Sequence, residues 1–132
     1  MITYLWIALG GALGTVARAL CAEAAARAFG DSFPWGILII NIVGSLVIGF
    51  FAALTGVGGR YLVALDARQF VMVGICGGFT TFSSFSLQTL NLLLDGYVMR
   101  AGANIVGSVV LCLLAVWLGY LLASALNPAA AG

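Results

Sequence analysis

The chain reads as an all-α integral membrane protein with four transmembrane helices, and three observations lead there. It has 132 residues, of which 64% are hydrophobic, more apolar surface than a soluble domain of that size can hide. Charged residues are 7% of the chain, roughly a quarter of the usual soluble share. Four apolar stretches approach or exceed the ~20 residues that a bilayer-crossing helix needs, and only short polar connections separate them. Loops this short hold no soluble domain. Residues 1–132 are therefore expected to form one four-helix domain, multi-pass in the cell (inner or plasma) membrane, with the lipid bilayer as its solvent.

Composition also excludes function classes. Five arginines against four acids leave a formal charge of +1, which makes no basic patch for nucleic acid. Without histidine, and with so few acids, acid–base or metal-centred catalysis has little to work with, so no enzyme is expected. Cys21, Cys76 and Cys112 are far apart and read as small buried hydrophobes. The N-terminus lacks the basic segment of a cleaved signal peptide, so the first apolar stretch reads as a retained span.

The first span is expected over about residues 3–19, with an amphipathic continuation to Ala28 left open. Gly10 and Gly14 give it a small-residue face for close helix contact. Arg18 near its end suits either an interfacial snorkelling cation or a vestibule cation that attracts anions. The second span, about 34–56, opens with Pro34 and the interfacial Trp35. Inside it Asn41 and Ser45 stand four apart on one face, as helix–helix glue or as polar groups of a path. The third span, about 69–94, follows a loop with Arg60, Asp66 and Arg68. After the turn at Asp95-Gly96-Tyr97, the fourth runs over about 101–126, until Asn127-Pro128 stops it and an Ala-rich tail follows. Its Asn104, Ser108 and Cys112 recur every four residues, as packing glue or as the wall of a polar path.

The third span carries the most information. Gly77-Gly78-Phe79-Thr80-Thr81-Phe82-Ser83-Ser84-Phe85-Ser86 lies near its centre. Adjacent glycines predict an unwound backbone, so this helix is expected to be broken near the midplane. Irregular backbone survives there only where protein or a polar cavity satisfies it. Freed carbonyls at Gly77 and Thr80 would suit a small cation such as Na⁺, or be met by water or by hydrogen bonding within the break. Phe82 and Phe85, three apart, share a face if helical, and phenyl edges carry partial positive charge. With donors from Asn41, Ser108, Thr81 and Ser84 they would make a narrow uncharged anion path. Packing of the same rings against lipid stays open on spacing alone.

Arginine placement gives no topological bias: Arg60 and Arg68 on one side face Arg27, Arg100 and, if it counts as loop, Arg18 on the other. A chain without bias can insert both ways. An antiparallel, dual-topology homodimer, with the chain as its own partner, follows as an expectation.

These stretches together resemble the Fluc/CrcB fluoride channels. Gly10 to Arg18 is similar to that family's first-helix glycine pattern. Pro34-Trp35-Gly36 followed by Asn41 and Gly44-Ser45 resembles its second-helix signature, and Gly77 to Ser86 its third almost in full. The resemblance implies an antiparallel homodimer with a pair of pores, passive fluoride export and resistance to fluoride. By motif, it implies Phe82 and Phe85 as the anion-facing pair, Asn41 as the pore amide, and Ser108 and Cys112 on a polar track. It further implies Arg18 near the vestibule, and Gly77 and Thr80 carbonyls around a structural Na⁺ at the dimer interface. The chain departs from the family's pattern at Ala19, Ile37, Gln88, Asn104 and Cys112. The rivals are a proton-coupled exporter of small molecules, which would want an ionisable residue inside a span, and a non-conducting structural subunit.

Overall fold

The computed structural model describes residues 1–128, and among these all regular structure is helical, with no strand. Four helices are long and apolar enough to cross a membrane: Ile2–Phe29, Trp35–Thr55, Leu65–Leu94 and Val98–Leu126. The chain is a multi-pass membrane protein. The Ala-rich tail lies outside the described residues.

Helix α1 spans Ile2–Phe29 without interruption, so the first span does not end near Ala19 but runs on past Ala28. Gly30, at φ 75°, stops it, a conformation that glycine adopts without a Cβ penalty. Helix α2 is Trp35–Thr55, with Pro34 as its N-cap. The third span is composite. Helix α3, Leu65–Gln69, leads into a π-helical segment, Phe70–Cys76, then α4, Gly77–Phe79, and after two extended residues α5, Phe82–Leu94. Helix α6, Val98–Leu126, starts three residues earlier than expected and so takes in Arg100, which lies over the Tyr97 ring at 4.5 Å and donates to the Ser32 carbonyl.

Two glycine seams hold the helices together. In lipid the attraction between helices comes from close packing, which small residues permit. On α1, a Cβ at Gly10 would run into the Phe70 carbonyl and one at Gly14 into the Ile75 carbonyl and the Phe79 amide. On the other seam, Gly49 of α2 meets the Val116 carbonyl, and Gly119 of α6 meets that of Leu46. The large side chains mostly face outward instead: Leu5, Leu9, Leu13, Val16 and Leu20 on α1 are all exposed toward where lipid would lie. The buried apolar cluster is small, made of Ile37, Ile40 and Phe85 with Ala22 and Phe79 against it.

Side chains tie the helix ends on one side. Arg60 donates to the Leu126 carbonyl at 3.0 Å, its N–H reaches Asn127 Oδ1 at 2.8 Å, and Asn127 Nδ2 reaches the Ala53 carbonyl at 3.1 Å. Carbonyls at the ends of α2 and α6 thereby gain donors. Arg68 Nε meets Thr55 Oγ1 at 3.1 Å, and Thr3 hydrogen-bonds Asp66.

The seam between α1 and the third span leaves no room for a methyl group. Gly14→Ala should lower stability by about 1–3 kcal/mol, the usual cost of overpacking. Gly11→Ala, whose Cβ would meet nothing within 4 Å, should not. Thermal midpoints of the purified variants measure the difference; equal midpoints would deny the seam.

Candidate functional site

The site grows from two residues. Thr80 (φ −82°, ψ 158°) and Thr81 (φ −156°, ψ 113°) are extended between α4 and α5. Gly77 and Gly78, where unwinding was expected, are helical, and Gly78 instead lets the Gly11 carbonyl come close. Extended backbone inside a span leaves N–H and C=O groups that other partners must satisfy. Thr80 still donates both its N–H and its hydroxyl to the Cys76 carbonyl, at 3.0 and 2.8 Å. Thr81 caps α5, its Oγ1 accepting from the Ser84 N–H at 3.1 Å, a contact worth ~1 kcal/mol.

The remaining groups are met by other helices. Asn41 on α2 accepts the Thr81 N–H on Oδ1 at 2.8 Å and returns Nδ2 to the Thr81 carbonyl at 3.2 Å. Arg18 on α1 donates from Nη1 to the Thr80 carbonyl at 3.3 Å. The approach of α2 depends on Gly44, one turn beyond Asn41, because a Cβ there would collide with the Thr80 methyl. Because Thr81 gives its N–H to Asn41, the Gly77 carbonyl has lost its helical donor. Likewise Ser84 bonds Thr81 Oγ1, which releases the Thr80 carbonyl.

A cavity of about 420 Å³ opens beside this segment, and no charged residue lines it. Its floor is α2 at Asn41, Gly44 and Ser45. Its sides are Gly77, Thr80, Thr81, Phe82 and Phe85 from the third span, and Ser108 and Cys112 from α6. The Phe82 and Phe85 rings lie 5.3 Å apart at 52° to each other, Phe85 buried and Phe82 76% exposed on the open side. Such a tilted pair presents ring edges as well as faces.

The profile described as CrcB-like protein, Camphor Resistance (CrcB), matches residues 5–120, a range that contains every one of these wall residues. This chain belongs to the CrcB family. It is similar to proteins named fluoride-specific ion channel FluC. That of Opitutus terrae is 61% identical over 127 residues, 96% of each chain. That of Methylocella silvestris is 59% identical over 124 residues, 94% of this chain and 95% of the relative. That of Rhodospirillum rubrum is 57% identical over 126 residues, 96% and 98%.

In this CrcB chain most of the expected site residues meet at one cavity. Asn41, Gly77, Thr80, Thr81, Phe82, Phe85, Ser108 and Cys112 all line it. Ser84 and Arg18 do not; Ser84 is taken up by the α5 cap, and Arg18 reaches the far side of the Thr80 carbonyl. The α6 stripe divides. Ser108 and Cys112 face the cavity, whereas Asn104, 2% exposed, is packing glue. Asn104 Nδ2 donates to Thr89 Oγ1 at 2.9 Å, Thr89 donates to the Phe85 carbonyl at 2.8 Å, and Ser108 donates to Asn104 Oδ1 at 3.3 Å. This chain of bonds ties α6 to α5 just behind Phe85. Thr89 was missed from sequence, although it stands four residues after Phe85 on the same face.

Two departures from the CrcB pattern fall elsewhere. Ile37 is buried in the apolar cluster with Ile40 and Phe85. Gln88 lines a second cavity, of about 310 Å³, beside Asn91 and Asp95, where its Oε1 is buried without a hydrogen-bond partner.

Proposed function

We propose that the chain is a fluoride channel, in which two antiparallel copies form passive pores that let fluoride leave the cell and so confer fluoride resistance. The observation that carries this reading is the uncharged cavity walled by Phe82, Phe85 and hydroxyl-bearing side chains in a chain 61% identical to a protein named fluoride-specific ion channel FluC. Fluoride is small and strongly hydrated, so a narrow pore must replace water with fixed donors yet hold the ion weakly enough for release. The Phe edges fit that need directly, and the Ser108 and Thr81 hydroxyls would meet it by turning their protons from Asn104 Oδ1 and Ser84 Oγ to the ion. An arginine at the wall would hold the anion too well. Arg18, off the wall, would raise the local anion concentration by its charge. The proton-coupled exporter loses ground because no acid lines the cavity.

The dimer accounts for what one subunit leaves open. Phe82 stands largely exposed and Gly77 is exposed at the mouth of the cavity, so a second copy would close the wall and cover both. In such a dimer the extended pair would form a break near the midplane of the third span. The Gly77 and Thr80 carbonyls, both released from helical donors, are hard oxygen ligands of the kind Na⁺ takes, and they fit a cation site shared by the two copies. Bound there, Na⁺ would supply fixed positive charge that neutralises the carbonyl dipoles between subunits.

Fluoride efflux from liposomes that hold the purified protein, read with a fluoride electrode beside a chloride control, tests the channel. Fluoride should leave rapidly and chloride should not. Phe82→Ile should slow fluoride at least ~10-fold, the effect of about 1.4 kcal/mol on a barrier. Equal release of both anions, or none from folded protein, would end the reading. Orientation has its own test: Ser32→Cys in a Cys21→Ala background, labelled by an impermeant maleimide on intact cells. About half of the copies should label from outside, since the loops carry no orienting bias. Labelling of all copies or of none would contradict dual topology.

A further inference from the structure

Asn41 has the residue type and depth of an anion donor, and its amide is also engaged with backbone: Oδ1 and one of the two Nδ2 hydrogens are taken. Oδ1 accepts the Thr81 N–H at 2.8 Å, and Nδ2 donates to the carbonyl of the same residue at 3.2 Å. These two bonds copy the way one strand residue pairs with another, which suits the extended backbone of Thr81. The Thr81 N–H and the Thr80 C=O also belong to one planar trans peptide, in which they point in opposite directions. Pinning the N–H to Asn41 therefore aims the Thr80 carbonyl away from α2. At the other end of the same plane, Arg18 donates to that carbonyl at 3.3 Å, a long contact that leaves its second lone pair free. The same Asn41 bond takes from Gly77 the donor that a continuous helix would give it.

We infer that Asn41, with Arg18 at the far end of the peptide, is a positioning residue that sets the direction of the Gly77 and Thr80 carbonyls, and through them the affinity for a small cation. The inference rests on the fluoride-channel reading with its shared cation. In this role Asn41 does not touch the cation. It fixes a peptide plane, and groups that orient ligands commonly govern affinity as strongly as the ligands do.

The test is a Na⁺ titration of the thermal midpoint of the purified protein, paired with fluoride and chloride efflux at saturating Na⁺. Asn41→Leu keeps the approximate size and removes both bonds; Asn41→Ser is the milder variant should Leu not fold. The Na⁺ concentration for half of the midpoint rise should increase at least about 10-fold in either. Phe82→Ile should instead leave the Na⁺ titration unchanged and impair fluoride flux. An unchanged Na⁺ titration in the Asn41 variants would overturn the inference, whatever happens to the fluoride flux. A wild-type midpoint that ignores Na⁺ would overturn the cation and this inference together, and leave the efflux result to judge the channel.

Discussion

Backbone polar groups have no water to turn to inside a bilayer, and an unmet one costs several kcal/mol. Two extended residues in a span are sustainable only with partners brought from elsewhere. Here they come from three directions: the Cys76 carbonyl one turn back takes the Thr80 N–H, Asn41 of α2 takes both polar groups of Thr81, and Arg18 of α1 takes the Thr80 carbonyl. Much else in the fold serves to bring those partners within reach. Gly44 lets α2 lie against Thr80, and Gly10 and Gly14 let α1 lie against the third span. The seam between Gly49 and Gly119 then sets α6, with Ser108 and Cys112, across the groove.

Satisfaction of the backbone and the cavity meet at the same residues, since Asn41, Thr80 and Thr81 line the cavity that their bonds border. The side chains from other helices that bond the backbone of Thr80 and Thr81 come from α1 and α2. The rings of Phe82 and Phe85 sit on the next helical turn, with Phe85 backed by the Thr89–Asn104–Ser108 bonds. A buried amide such as Asn104 has a strong claim to be met once it is inside. Its bonds fix the rotation of α6 against α5, which aims Ser108 at the cavity. Ser45, by contrast, returns its hydroxyl to the Asn41 carbonyl of its own helix at 2.7 Å.

Much of this was legible in the sequence because it follows from spacing. Runs of apolar residues locate the four spans, and the four-residue repeat of Asn104, Ser108 and Cys112 locates one face of α6. Asn41 stood out as an amide in an apolar run, and Phe82 with Phe85 as a three-residue pair. What misled was glycine, which signals both flexibility and close approach. At Gly77 and Gly78 the backbone stays helical, and the extended pair comes at Thr80 and Thr81, whose hydroxyls and neighbours can meet a helix end. Nothing in the composition of Phe70–Cys76 announces its π-helical geometry, and the Gly10–Gly74 approach that brings α1 against it is a contact across 64 residues of chain. Asn41 could be found as a polar residue, but its partner lies 40 residues away and only the fold brings the two together.

The central claim is that a side chain from another helix holds the extended pair, and amide hydrogen exchange at Thr81 in a bilayer tests it most directly. The Thr81 N–H should exchange slowly, like the helical amide of Ile40 and unlike the exposed turn at Val57 and Gly58, and its protection should fall when Asn41 is replaced by leucine. Fast exchange in the wild type, or equal protection with and without the Asn41 amide, would contradict it.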